Sequence, residues 1–346
     1  MILAEPDHLL GMLRRHAPSF VSGEDVRREL DVSRQAVWKQ VQHLRRLGYG
    51  VEGRPHQGYR LLSVPDRLLP AEIHYGLGTV TFGQRIVYLE RTPSTSDTAR
   101  DLARQGAPEG TLVVAEEQTA GRGRRGRSWH CPFGRGLLFS LILRPAVRPS
   151  RAPQVTMVAA VALALAIEKV TGLAPGIKWP NDLLLEGKKV CGILTELDAE
   201  PESVSQVVIG VGVNVNIAAE DLDPHRATSL QVQAGQAMGR LRLLQEALRQ
   251  MEEWYGVWQT GGFSVIRTEW QRRALIVDRL VRVRLGDTVL AGRAAGVDEE
   301  GALLLDLPDG TRRRLLAGEV TFEESYGRAG HQPGGWAEEE WECRQG

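Results

Sequence analysis

The sequence predicts an α+β protein of three units and a tail. A winged helix-turn-helix spans 1–64, a central mixed α/β domain 65–280 and a small β-barrel 281–325, leaving 326–346 as a mobile tail. Three observations carry this. Two helix-start signals and a hairpin pattern crowd the first 64 residues; strands and helices alternate over 71–280; and from 281 the texture becomes short strands broken by turn residues. At 346 residues the chain is long enough for two or three domains with at least one sizeable core.

The first unit opens on "DHLLGMLRRH", whose apolar residues recur at helical spacing. "SGEDVRREL" starts with a Ser N-cap and places acidic residues in the first turn of a second helix. Ser33 caps a third, "RQAVWKQVQHLRRLGY", in which Val37, Val41, Leu44 and Leu47 fall on one face while Arg34, Gln35, Lys39 and Gln42 fall largely elsewhere. "GVEGRPHQGYRLL" then gives two short strands around "PHQG". In this arrangement the start of the third helix faces the major groove, so Ser33, Arg34, Gln35 and Lys39, with Trp38 beside them, are candidate DNA contacts. Ten basic against seven acidic residues through position 64 suit DNA without demanding it; a winged helix used for protein contacts is the alternative.

"SVPDRLLP" at 63–70 reads as a linker, since Pro65 and Pro70 interrupt regular structure. "RIVYLE", "TLVVAEEQ", "GLLFSLIL", "LLLEGKKVCGILTEL" and "VVIGVGVNV" have strand character, and "STSDTARDLARQG", 153–171 and 241–257 have helical periodicity. Over 281–322 the turn signals "GD", "DEEG" and "PDG" separate the short strands of the barrel. The segment "GRAGHQPGGWAEEEWECRQG" has no core-forming period.

Composition narrows the function. With 42% hydrophobic and 25% charged residues the chain reads as a soluble globular protein. Its 43 basic and 43 acidic residues cancel, so no global field recruits nucleic acid and any anion site is local. Only five lysines occur, Lys39, Lys169, Lys178, Lys188 and Lys189; in so arginine-rich a chain, the three gathered within 178–189 suggest ammonium chemistry. Cys131, Cys191 and Cys343 show neither a paired framework nor CxxC spacing, which argues against a disulfide scaffold or a zinc site. The N-terminus carries no signal pattern, and the apolar run 155–167 is shorter than the roughly 20 residues of a membrane span. A cytoplasmic protein without membrane contact is expected.

Two stretches carry the chemistry. "AEEQTAGRGRRGRSWH" (115–130) packs three glycines and four arginines into 121–127, between two apolar strands that pin the loop at both ends. Gly121, Gly123 and Gly126 allow the backbone close to a ligand, and Arg122, Arg124, Arg125 and Arg127 supply forked donors for phosphate or carboxylate. Such a cluster repels itself unless an anion compensates, which suggests a polyphosphate; RNA is the alternative. "GIKWPNDLLLEGKKVCGILTEL" (176–197) combines an Asn181–Asp182 turn with Lys188 and Lys189 at a hairpin tip. "GVGVNVN" (210–216) adds a strand whose glycines fit close approach.

"STS" before a helix, "AEEQTAGRGRRGRSW", "KWPNDLLLEGKKVCGILTEL" and "GVGVNVN", in that order, resemble the biotin protein ligases (biotin–[acetyl-CoA-carboxylase] ligases). With the N-terminal winged helix, the resemblance is to the bifunctional subgroup that is also the biotin operon repressor, and it spans about residues 5–325. It implies a central domain of the biotin/lipoate ligase type and a C-terminal SH3-like barrel. It implies formation of biotinyl-5′-AMP from biotin and ATP with Mg²⁺, then transfer of biotin to a lysine of a biotin carboxyl carrier protein. By the same resemblance Ser94, Thr95, Ser96 and Gln118 meet biotin, with Arg122, Gly123, Arg124 and Lys189 around its carboxylate. Arg122, Arg124, Arg127, Asn181 and Asn214 serve the nucleotide. Lys189 and Arg124 are the catalytic pair, Asp182 is a candidate Mg²⁺ ligand, and an adenylate-bound homodimer binds operator DNA. Ser96 stands where the family usually has Asn.

Overall fold

The computed structural model describes residues 5–199 and 204–322; the tail 326–346, Cys343 included, lies outside them. The first unit has helices α1 (Glu5–His16), α2 (Gly23–Leu30) and α3 (Arg34–Arg46), then the wing strands β1 (Gly50–Arg54) and β2 (Gly58–Ser63). Both sequence-read caps form, Ser22 Oγ accepting from the Asp25 amide at 3.0 Å and Ser33 Oγ from the Ala36 amide at 3.2 Å. Leu9, Leu13, Val26, Val37, Val41, Leu44 and Tyr49 pack as one core.

The linker ends in the short helix α4 (Pro70–His74). Its Glu72 is buried, accepts a hydrogen bond from Tyr49 Oη and pairs with Arg14, so the winged helix docks on this helix through a charge cluster. The central domain follows as β3 (Ile86–Thr92), α5 (Thr95–Arg104), β4 (Leu112–Gln118), β5 (Gly136–Leu143), α6 (Ala152–Thr171), β6 (Gly176–Lys178), β7 (Asp182–Leu185), β8 (Lys188–Ala199), β9 (Val204–Asn214), α7 (Leu230–Ala234), α8 (Arg240–Gly261) and α9 (Phe263–Arg273). Its seven strands lie in the order β3-β4-β5-β9-β8-β7-β6; β3 and β4 are parallel across α5, and every other neighbouring pair is antiparallel.

Helix α5 packs on one face of the sheet, and the other is covered by α6, with α8 and α9 against it. The segment Pro149–Thr171 is long and apolar enough to cross a membrane, but 67% of its most apolar window is buried inside the protein. Helix α6 is apolar all round because both flanks pack, as a core helix requires. The last unit, β10 (Leu280–Leu285), β11 (Thr288–Val297), β12 (Leu303–Asp306), β13 (Arg312–Leu315) and β14 (Glu319–Phe322), is a five-stranded antiparallel sheet in the order β13-β12-β11-β10-β14. Strand β6 and helices α4, α7 and α9 are additions to the elements read from sequence.

Candidate active site

Parallel strands β3 and β4 end side by side, Thr92 opposite Gln118, and chains leaving such paired carboxyl ends diverge around a crevice. Into it run the start of α5 and the arginine loop. The Thr95 amide and hydroxyl donate to Gln118 Oε1 at 2.7 and 3.0 Å, leaving Gln118 Nε2 without a protein acceptor among the described residues. Ser140 Oγ donates to Thr95 Oγ1 at 2.8 Å and lies 3.1 Å from Ser96 Oγ, so the α5 N-terminus is fixed from below. Ser94, Thr95 and Ser96 are all buried.

Glycines make the floor. On the α5 face, Gly192 of β8 lies opposite Gly212 of β9. A Cβ on Gly212 would sit 2.4 Å from Trp129 Cε2, one on Gly192 2.9 Å from Trp129 Cζ3, and one on Gly210 2.3 Å from Ser96 Oγ. The indole of Trp129 thus lies on bare backbone. Its Nε1–H is buried without a hydrogen-bond partner among the described residues. The pairing between β7 and β8 shifts register at Val190, which puts Lys189 and Gly192 on the same face despite their odd spacing. Lys189 Nζ stands 2.7 Å from Asp182 Oδ1 and 5.4 Å from the centre of the Trp129 ring.

The loop closes on itself, the Trp129 amide donating to Gly121 O at 2.8 Å and the Gly123 amide to Arg127 O at 2.6 Å. Its arginines diverge. Arg122 donates to Asp97 at 2.7 Å and to Glu196 at 3.1 Å, and Arg100 reaches the same two carboxylates. Arg124 is half-buried and donates to Asn181 Oδ1 at 3.2 Å, while Asn181 Nδ2 donates to Ile193 O at 2.7 Å. Burial pushes the Arg124 guanidinium below its ordinary pKa, and burial does the same to the Lys178 ammonium. Arg125 and Arg127 turn to the C-terminal sheet, donating to Arg284 O and pairing with Glu319. The bond from Arg127 holds the Glu319 carboxyl below the usual range.

Ser94, Thr95, Ser96, Gln118, Arg122, Gly123, Arg124, Asn181 and Lys189 therefore line one cavity with Trp129 and the three floor glycines. Arg127 and Asn214 do not; Asn214 is buried and its Nδ2 donates to Thr228 O at 3.0 Å. Asp182 is engaged by Lys189, and among the described residues no three His, Cys, Asp or Glu side chains converge as a metal cage. The cavity encloses about 40 Å³ and adjoins a second of about 390 Å³ that shares Arg124, Asn181 and Ile193 with it. Sequence reading missed Gly192 and the Asp97–Glu196 partners of Arg122, for which the acidic residue directly after "STS" was the available sign. In the first unit Arg34, Gln35 and Lys39 are exposed, and Ser33 Oγ serves as the cap of α3.

Residues 88–214 match the biotin/lipoate A/B protein ligase family, 7–60 an HTH domain, and 278–322 the biotin protein ligase C-terminal domain. The bifunctional ligase/repressor BirA of Bacillus subtilis is 42% identical over 308 residues, covering 88% of this chain and 95% of the relative. The protein of the same name from Escherichia coli is 30% identical over 307 residues, with 88% and 94% covered. Among solved structures, the biotin protein ligase of Aquifex aeolicus in complex with biotin and ATP superposes with a TM-score of 0.59 at 29% identity, covering 70% of this chain and all of that one.

Proposed function

The chain belongs to the biotin protein ligases, in the branch that joins the ligase to an N-terminal helix-turn-helix, and on that premise we propose how its own residues do the work. It is an ATP-dependent biotin protein ligase with a repressor domain. A biotin carboxylate oxygen attacks the α-phosphorus of ATP, pyrophosphate leaves, and biotinyl-5′-AMP forms. A carrier-protein lysine then attacks the anhydride carbonyl and AMP leaves. Two anions must meet in the first step, so fixed positive charge is what the site has to supply. Arg124, oriented by Asn181, and Lys189, oriented by Asp182, supply it from the cavity lining. The free Nε2 of Gln118 and the α5 N-terminus face the biotin ring system, with Ser94, Thr95 and Ser96 around it.

Mg²⁺ would enter with the nucleotide and would supply charge neutralisation at its phosphates; among the described residues Asp182, the carboxylate paired with Lys189, would be the side chain to hold it. In the transfer step the incoming lysine reacts as free amine, a form that is about one in a few thousand at pH 7 in water. The partner is the biotin carboxyl carrier protein, and the ligase works in the cytoplasm. Regulation runs through a homodimer: among the described residues Leu194–Asp198 of β8 pair with β9 alone, leaving one strand edge without a partner there beside exposed Leu197. The adenylate orders the loop, the dimer forms through the central sheet, and two winged helices engage a two-fold operator.

The observation that carries the reading is the convergence of Ser94–Ser96, Gln118, Arg122–Arg124, Asn181 and Lys189, from separate parts of the sequence, on one cavity. Biotin-dependent ATP–pyrophosphate exchange tests it. Exchange that requires biotin, ignores lipoate and collapses in Arg124→Ala and Lys189→Ala is the expected result. Absence of exchange from folded protein would leave a biotin-sensing regulator in its place.

A further inference from the structure

We propose that Trp38 reads thymine, packing its indole on the 5-methyl groups that thymines expose in the major groove. The proposal rests on the DNA-binding reading of the first unit. Trp38 is 55% exposed, although α3 buries Val37, Val41 and Leu44 on its other face. It follows Gln35 by three residues and Arg34 by four, so all three share one stripe of the helix, with Lys39 alongside. That stripe borders a groove of about 810 Å³, whose walls include Ser33, Arg34 and Trp38 on the helix and Arg54, Pro55 and His56 on the wing.

The groove is preformed. Arg45 Nε and Nη2 donate to Val51 O at 3.0 and 2.9 Å, tying the wing to α3. Val21 and Tyr59 exchange two backbone bonds of 2.8 Å, and a Cβ on Gly58 would lie 1.9 Å from Val21 O, so β2 seats directly on the segment before α2. Trp38 therefore projects from a rigid frame between cationic neighbours.

Its chemistry then selects the partner. Arg34, Lys39 and Arg54 suit phosphates, and Arg34 and Gln35 suit acceptor and donor base edges. An indole face suits neither. The apolar group that the major groove offers is the thymine methyl, and an exposed Trp flanked by Arg34 and Lys39 is matched by it.

The test uses the full-length protein with biotin and ATP to enrich duplexes from a random-sequence pool. The enriched duplex is then resynthesised with 2′-deoxyuridine replacing thymine at one position at a time, which removes only the methyl. Wild type is expected to lose about 5- to 30-fold in affinity at one or two positions per half-site. Trp38→Ala should bind the thymine duplex that much more weakly and ignore the uracil replacement, while Trp38→Phe keeps part of the methyl dependence. Unchanged thermal melts show that these exposed-site variants fold. Wild-type affinity in Trp38→Ala, or a uracil penalty as large as in wild type, overturns the role of Trp38 alone. If wild type enriches no duplex, the DNA-binding reading itself fails.

Discussion

Lys189 shows how one residue depends on its neighbours. Its ammonium lies between the Asp182 carboxylate and the Trp129 ring, both of which favour a positive charge, and the register shift at Val190 aims it at the cavity. In the proposed mechanism Lys189→Ala removes one of the fixed positive charges that line the cavity. Its exchange rate is expected to fall by about 10²–10³-fold, the usual cost of deleting one preorganised donor, with KM for biotin changing far less. A fall in kcat/KM matched by an equal rise in KM, with kcat unchanged, would show a role in binding alone. The lysine was legible because lysine is scarce here. Arg127 was not separable from Arg122 and Arg124 by sequence, since only packing decides which arginines of "GRGRRGR" turn inward and which reach Glu319. Asn181 and Asn214 were both expected at the nucleotide, yet the fold commits the first to Arg124 and Ile193 and the second to Thr228.

At the scale of elements, the arginine loop is held at two surfaces. Trp129 rests on Gly192 and Gly212, and Gly212→Ala would drive a methyl into the indole. Overpacking of that kind costs about 1–3 kcal/mol, so KM for biotin in the exchange assay should rise by about 5- to 100-fold while the melting temperature changes little. The second hold is Arg127 on Glu319. Because the folded carboxyl titrates below its ordinary value, this contribution is complete above the ordinary glutamate range and is lost as pH falls through the lower folded value. At neutral pH it is fully in place. Glu319→Gln should release the loop, seen as several-fold faster trypsin cleavage within 122–127, with biotin plus ATP restoring protection. Strong elements such as α3, β5 and α6 were readable from period and apolarity. The three-residue strand β6 is too short to show a period, and α9 alternates charged and apolar residues too irregularly to announce a helix.

For the whole molecule, the question is how a biotin site addresses a DNA-binding unit. The linker is clamped to the catalytic core: buried Arg240 pairs with buried Glu116 at 2.7 Å and donates to Asp66 O at 2.6 Å, while Glu116 accepts from the Leu68 amide at 2.8 Å. Glu116 lies two residues before Gln118, so the strand that carries Gln118 into the cavity and the linker share one ion pair. The Glu72 cluster adds a second tie between winged helix and ligase, and neither tie is legible in the sequence because the partners are distant in the chain. A rigid protomer can place two recognition helices only if the dimer axis is also fixed, which is what pairing of the open β8 edges would provide. Leu197→Glu sets a charge on that edge, 43% exposed and outside the cavity. Sedimentation should show wild type dimerising when biotin and ATP are added and the variant remaining monomeric. Exchange activity should persist in the variant, and duplex binding should fall at least tenfold, because each half-site is then held alone. Dimerisation of Leu197→Glu equal to wild type would place the interface elsewhere, and wild-type DNA affinity independent of biotin and ATP would remove the switch altogether.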